Sequence, residues 1–282
     1  MSGFTVIKKA VNKVEYQGKT YTCNGERIII DGQVRWLYRT NKGLDYDILV
    51  CDDRYAEEPE FTHLTKLPSG CYTLPSEISH EYVDLGLPSG TLWATENIKD
   101  ANGNELYFAW GETQGYTSGQ VGTDKYFAWD GDNADYKYGT FNDSDEENFG
   151  MEKYNNTDGK TELESTDDAA TANWGTGWRM PTKEQFDELI ANTTTAWTQV
   201  DGVNGMLCTS TANGNTLFFP AVGDAENGGV NDVVDYGNYW SVSLNDKNVF
   251  NALELDLDDG GCGVGNDGRC FGYSVRPVRV PV

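Results

Sequence analysis

The sequence predicts an α+β chain built from two units. Three observations lead there. Short β-branched and aromatic runs are punctuated by Asn-Gly and Asp-Gly pairs, the strongest short-range hairpin signals. One segment after residue 180 carries helical spacing with a cap in front of it. The composition also changes near residue 80: residues 1–80 hold 10 basic and 11 acidic side chains, residues 81–282 hold 11 and 34. That shift sets the expected boundary near Leu74-Pro75-Ser76, with a small β-rich mount or assembly unit at 1–80 and a ligand-binding unit at 81–282.

In the first unit, Thr20 to Cys23, Arg27 to Ile30, Val34 to Tyr38 and Asp47 to Val50 read as strands, with turns at Asn24-Gly25 and Asp31-Gly32. The second unit opens with a strand, a tight turn and a strand over 82–94. Residues 111–173 read as polar, aromatic loops with an acidic run at Asp143 to Glu147, a solvated stretch. Thr182 then caps a helix through 190: Thr182 with Gln185 forms a capping box, and Phe186, Leu189 and Ile190 make one apolar stripe. Further strands are expected at Met206–Ser210, Thr216–Pro220, Tyr239–Ser243, Ala252–Leu257 and Tyr273–Val278, with a hairpin turn at Asn213-Gly214-Asn215.

Charge and composition exclude several functions. The formal charge of −24 argues against nucleic acid and against anionic membranes, which both need basic patches. No run of about 18 apolar residues is present, so no membrane insertion is expected. Both histidines, His63 and His80, precede residue 81, which removes Ser-His-Asp and Cys-His catalysis and His-ligated zinc from the second unit. The six cysteines form no C-x-x-C pair. The start, MSGFTVIKKAV, lacks a charged n-region followed by an apolar h-region, so the expectation is a chain kept in the cell or carried out by another route, with free thiols.

Six segments in order then suggest a family: VDLGLPSGTLWA (83–94), YFAWGE (107–112), WGTGWRMPTKEQFDEL (174–189), NGNTLFFPAVG (213–223), YGNYWSVS (236–243) and FGYSVRPV (271–278). Over residues 81–279 the chain resembles the formylglycine-generating-enzyme-like branch of the C-type-lectin fold, widespread in gut Bacteroidetes and their phages. The resemblance implies a C-type-lectin-like α+β domain rich in irregular loops. The rare cations Arg179, Arg269 and Arg276 are expected to pair with carboxylates and hold those loops.

Three functions stay open. The enzymes of that branch use two cysteines near the C-terminus, where Cys262 and Cys270 lie, but here eight residues apart rather than closer, and with only Arg269 nearby to lower a thiol pKa. A calcium-dependent lectin would need an E-P-N or Q-P-D loop and a W-N-D strand. Neither loop triplet occurs, Tyr239-Trp240-Ser241 stands at the strand, and Asp256, Asp258 and Asp259 read as solvated carboxylates. The third reading is a variable protein like the targets of diversity-generating retroelements, which rewrite adenines. Asn codons ending in a pyrimidine then reach every residue type except Lys, Glu, Gln, Met and Trp. Those five types make up 50 of the 282 residues, yet Asp258 to Tyr273 contains none.

The preferred expectation is therefore a non-catalytic receptor-binding protein with no cofactor and no metal. Its variable region is expected at 236–273, with Trp240, Lys247 and Glu254 as fixed positions. The expected ligand face is Tyr236, Asn238, Ser243, Asn245, Asp246, Asn248, Phe250, Asn251, Asp258, Asp259, Cys262, Val264, Asn266, Asp267, Cys270 and Phe271, exposed and gathered on one side. Trp240, Leu253, Leu255, Val275 and Val278 should lie buried beneath it. The expected partner is a host-surface protein or glycan, the expected location a phage tail or a bacterial surface, and a homotrimer would suit a fibre tip. The alternative is an undiversified surface adhesin of the same family.

Overall fold

The structure, a computed structural model, describes residues 11, 13–23, 25–40, 47–54, 56, 58–68, 70–74, 80–125, 136–140, 142, 144–145, 147–175 and 177–279. Pro75 and Ser76 of the expected boundary, Asn24 of the first expected turn, Asp143 and Glu146 of the acidic run, Thr176 of the 174–189 segment and residues 126–135 of the expected long loops lie outside the described residues. Two compact units emerge, residues 1–79 and 80–282.

The first unit is one antiparallel sheet. Its strands are β1 (Lys13–Tyr16), β2 (Lys19–Thr22), β3 (Arg27–Ile30), β4 (Gln33–Thr40), β5 (Ile48–Cys51), β6 (Phe61–Leu64) and β7 (Tyr72–Leu74). They run in the order β1-β2-β4-β3-β7, and β5 bridges β4 to β6. Strand alternation sends neighbouring residues to opposite faces, so both faces are apolar. Tyr21, Tyr38, Leu49 and Cys51 fill one side; Ile28, Leu37, Ile48 and Val50 fill the other. Asp31-Gly32 makes the β3–β4 turn, both residues at positive φ (51° and 77°), as a two-residue hairpin of this hand requires.

The second unit holds β8 (Tyr82–Asp84), β9 (Leu92–Ala94), α1 (Ala169–Trp174), α2 (Lys183–Asn192), β10 (Thr193–Val200), β11 (Val203–Ser210), β12 (Thr216–Pro220), β13 (Asp224–Glu226), β14 (Gly229–Asn231), β15 (Gly237–Leu244), β16 (Asn251–Asp258), β17 (Gly261–Gly268) and β18 (Val278–Arg279). They form the sheets β8-β9-β18, β10-β11-β12, β13-β14 and β15-β16-β17.

The expected α+β class, drawn as a C-type-lectin-like domain, is corrected to a β-rich fold. Among the described residues the helices are only α1, of 6 residues, and α2, of 10. The helical half of the class rested on a single capped apolar stripe and on the family resemblance. The threonine-rich run after it and the glycine-rich run before Arg269 both become strands.

α2 itself starts as expected. Thr182 Oγ1 accepts from Gln185 N, and Gln185 Oε1 accepts from Thr182 N at 3.0 Å. Phe186 and Leu189 bury against Trp93, Phe219, Tyr239, Leu255 and Leu257, with Ile190 packed alongside. A second core gathers Trp110, Trp174, Trp178, Trp240, Tyr273 and Val275. Between these cores the chain is irregular, and buried donors hold it. Trp110 Nε1 donates to Ser241 O and Trp240 Nε1 to Phe108 O, each at 2.8 Å.

The buried arginines depart from expectation. Arg269 donates to Tyr136 Oη and to the carbonyls of Lys153, Tyr154 and Val249. Arg276 donates to Asn97 Oδ1 and to the carbonyls of Ala94, Thr95 and Phe218. Arg179 donates to Gln185 Oε1. The buried pair hold loops through carbonyls and side-chain oxygens rather than carboxylates, because irregular backbone leaves carbonyls that no ladder satisfies.

Candidate functional site

β16 sets the site. Its sequence alternates apolar and acidic residues from Leu253 to Asp258. A period of two sends Leu255 and Leu257 into one core and puts Glu254, Asp256 and Asp258 on the opposite face. Their partners on β17 are Gly265, Gly263 and Gly261. Glycine offers no side chain, so β17 does not cover these carboxylates. A Cβ at Gly263 would meet nothing within 4 Å, and one at Gly265 would stand 2.6 Å from Glu254 Oε1. On the other flank, Asn238 of β15 pairs with Asp256.

A cleft of about 590 Å³ opens over this face, within the usual size of small-ligand sites. Asp224 and Glu226 of β13, Asp232, and Asp267 of β17 join Glu254 and Asp256 in its lining. Tyr236, Asn238, Gly265, Asn266, Phe271 and Tyr273 complete the wall, and none of the lining residues is basic. Five lysines of this unit are engaged elsewhere. Lys125 pairs with Glu112, Lys137 and Lys153 with Asp167, Lys160 with Glu164, and Lys183 with Asp187.

Crowded carboxylates out of water resist ionisation. Burial, then Asp256 and Asp267, push Glu254 up to about 8, although Asn238 Nδ2 donates to its Oε2 at 3.2 Å. Burial, then Glu226, Asp232 and Asp267, push Asp224 up to about 7. Glu226 and Asp256 rise for the same reasons. Tyr273, also raised first by burial, donates its hydroxyl to Asp267 Oδ2 at 2.8 Å.

The expected ligand residues are divided by the structure. Tyr236, Asn238, Asn266, Asp267 and Phe271 line the cleft. Asn245 and Asn251 both donate to Asn266 Oδ1, at 2.9 and 2.8 Å. Asp246 and Asp259 are exposed, and the half-buried Asp258 caps its own turn by accepting from Gly260 N. Asn248 accepts from the amide of Phe250, whose ring packs against the tryptophan core. Cys262 and Val264 face the other way, against the core beneath the sheet.

Ser243, Cys270 and Phe271 are buried rather than exposed as expected. Ser243 Oγ accepts from Lys183 N at the start of α2, while Cys270 and Phe271 fill the core around Trp240. Of the residues expected beneath, Trp240, Leu255, Val275 and Val278 are buried and Leu253 is half-buried. Asp224, Glu226, Asp232, Glu254, Asp256 and Tyr273 were not among the expected ligand residues. The alternation over 253–258 held the signal for Glu254 and Asp256, because leucines inward imply acids outward.

Burial pushes the Cys262 thiol up, away from the thiolate a nucleophile needs. Among the described residues no three His, Cys, Asp or Glu side chains stand close enough to hold a metal ion. A second cleft, of about 410 Å³, is lined by both charges, Glu162 and Asp168 with Arg179 and Arg279. Asp168 is already committed there: it caps α1 and accepts from Met180 N. No protein-family model, curated protein or solved structure matches the chain.

Proposed function

We propose that the protein is a non-catalytic ligand-binding protein, and that the cleft over the open face of β15–β17 is where it holds a host-surface protein or glycan. The observation that supports this is the glycine-faced half of that sheet, where β17 lays no side chain over the acids of β16. One side of β16 is sealed in the core, while the other carries functional groups that β17 does not cover. Most of the lining comes from the 236–273 segment, and the core around Leu255 and Leu257 packs beneath it. Such an arrangement lets a surface change without loss of the fold. In a diversified gene, adenine-directed substitutions then fall on Tyr236, Asn238, Asp246 and Asn266 and spare the core position Phe271. A near-copy of the 3′ end of the gene, differing at adenines, is the sequence to compare.

The test uses the triple variant Asp232→Ala, Tyr236→Ala, Asn266→Ala. All three residues are exposed, and exposed substitutions usually stay within about 0.5 kcal/mol. The immobilised wild-type chain is probed with a glycan array and a displayed-peptide library. Ligands it captures should be lost by the variant while the melting temperature barely moves. Capture that survives in a folded variant places the binding face elsewhere.

A further inference from the structure

We propose that the turns at 200–203 and 232–236 form a docking patch for a partner protein, one whose matching face carries an apolar centre ringed by lysine or arginine. The inference rests on the binding reading above, whose cleft the patch adjoins through Asp232 and Tyr236, and it selects protein over glycan. Exposure leads to it first. Among the described residues seven large hydrophobic side chains are exposed, and five of them sit on these two turns: Val200, Val203, Val233, Val234 and Tyr236. Single apolar side chains on a surface need no partner, but a cluster of them marks an interaction site. The turns lie side by side. Val200 and Val203 are cross-strand partners around the Asp201-Gly202 turn that joins β10 to β11. Ala221, just past β12, donates to Asn204 O at 2.8 Å and accepts from Val234 N at 3.0 Å. Asn204 Nδ2 reaches over to Val234 O at 3.0 Å.

Backbone strain is the second observation. Val234 has a φ of 76°, in the left-handed region, where a β-branched side chain crowds the backbone and glycine or asparagine is at ease. The surrounding bonds fix that conformation. Val234 N and O are both engaged, and the amides of Asp235 and Tyr236 both donate to Asp232 O. The fold thus dictates the φ but not the residue. The valine side chain is 49% exposed, so it fills no core that would offset the strain. Burial against a partner would offset it, and strained residues gather where a surface is used. Charge then names the partner. Asp201, Asp232 and Asp235, all exposed, stand among the valines. A second copy would bring these acids against their own equivalents, in a unit with 34 acidic against 11 basic residues. Basic side chains around an apolar centre meet both the acids and the valines. An uncharged sugar has no charge to set against the aspartates and little apolar surface to cover the rest.

The full chain is probed with a displayed library of random peptides, a glycan array and phosphatidylcholine vesicles, and its own association is followed by sedimentation velocity. The expected peptides carry lysine or arginine flanking apolar side chains. Val203→Thr combined with Val234→Asn should weaken their binding about tenfold or more, the effect of leaving valine surface unburied. Val234→Asn alone should melt about 2 to 4 °C higher than the wild type, because asparagine relieves the left-handed strain. Val34→Thr, at an exposed valine of β4 in the first unit, should leave binding unchanged. Captured peptides without basic residues, equal losses in the Val34→Thr variant, or a double variant that binds as well as the wild type would overturn the proposal. A lower melting temperature for Val234→Asn would do the same, since the valine would then be serving the fold. So would self-association or vesicle binding that the double variant abolishes, because the occupant would then be a second copy or a membrane. Ligands lost with Asn266→Ala but kept by the double variant would defeat this inference and leave the binding reading standing. No ligand dependent on either set of residues would defeat both.

Discussion

Glu254 is held in the fold more as an acid than as a carboxylate, and that has a measurable cost. Its folded value near 8 lies above its ordinary 4.5. Between those values the folded chain keeps a proton that the unfolded chain has released, so its contribution to stability is complete below about pH 4.5 and drains away as pH climbs to about 8. Each unit of that window is worth roughly 1.4 kcal/mol. Glu254→Gln keeps the shape and the amide contact but removes the proton. The variant should match the wild type in denaturant midpoint near pH 4 and exceed it near pH 8; equal midpoints at both pH values would show that Glu254 titrates normally. Arg276 shows the opposite solution to burial. It too is cut off from water, yet four oxygens receive its donors, and its pKa falls because burial disfavours the charge.

At the level of elements, local chemistry was legible wherever it acted alone. Thr182 and Gln185 announce α2 because a capping box needs only four residues. Thr182→Ala should cost about 1 kcal/mol, seen as a lower melting temperature without loss of the β-sheet circular dichroism signal. A midpoint unchanged by this substitution would mean that packing of Phe186 and Leu189 alone holds the helix. β3 was readable to the residue, since Arg27–Ile30 is β-branched and closed by Asp31-Gly32. β17 was not: Gly-Cys-Gly-Val-Gly-Asn-Asp-Gly has low intrinsic strand preference, and only pairing with β16 makes it a strand. Tyr273–Val278 failed in the other direction. Its alternation looks like a strand, yet Tyr273 bridges Phe108 and Ser274 bridges Tyr239 singly before β18 begins. The cleft was half legible, for its acids come from β13, the segment after β14, β16 and β17, and only the tertiary fold brings the first two to the others.

Across the whole molecule, charge and topology set the behaviour. Residues 81–282 carry a net −23, and most of the lysines are already paired. Self-repulsion outweighs the exposed ion pairs, each worth no more than about 1 kcal/mol. Raising sodium chloride from about 10 to about 150 mM shortens the Debye length from roughly 30 to roughly 8 Å. Calorimetry should therefore show the melting temperature rising by a few degrees; a fall would mean that the ion pairs dominate. Topology bears on how the chain is made. β9 sits between β8 and β18, so Trp93 waits for Val278. Arg269 and Arg276 tie late residues to carbonyls at 94–95, 153–154, 218 and 249. A ribosome adding about 5–20 residues per second needs roughly 10–40 s to travel from Trp93 to Val278. Through that interval the nascent second unit lacks both its closing strand and its carbonyl clasps. Folding of this unit is consequently an event that follows release of its last strand, and a message cut short before residue 269 yields a polypeptide that cannot close, a ready substrate for proteolysis.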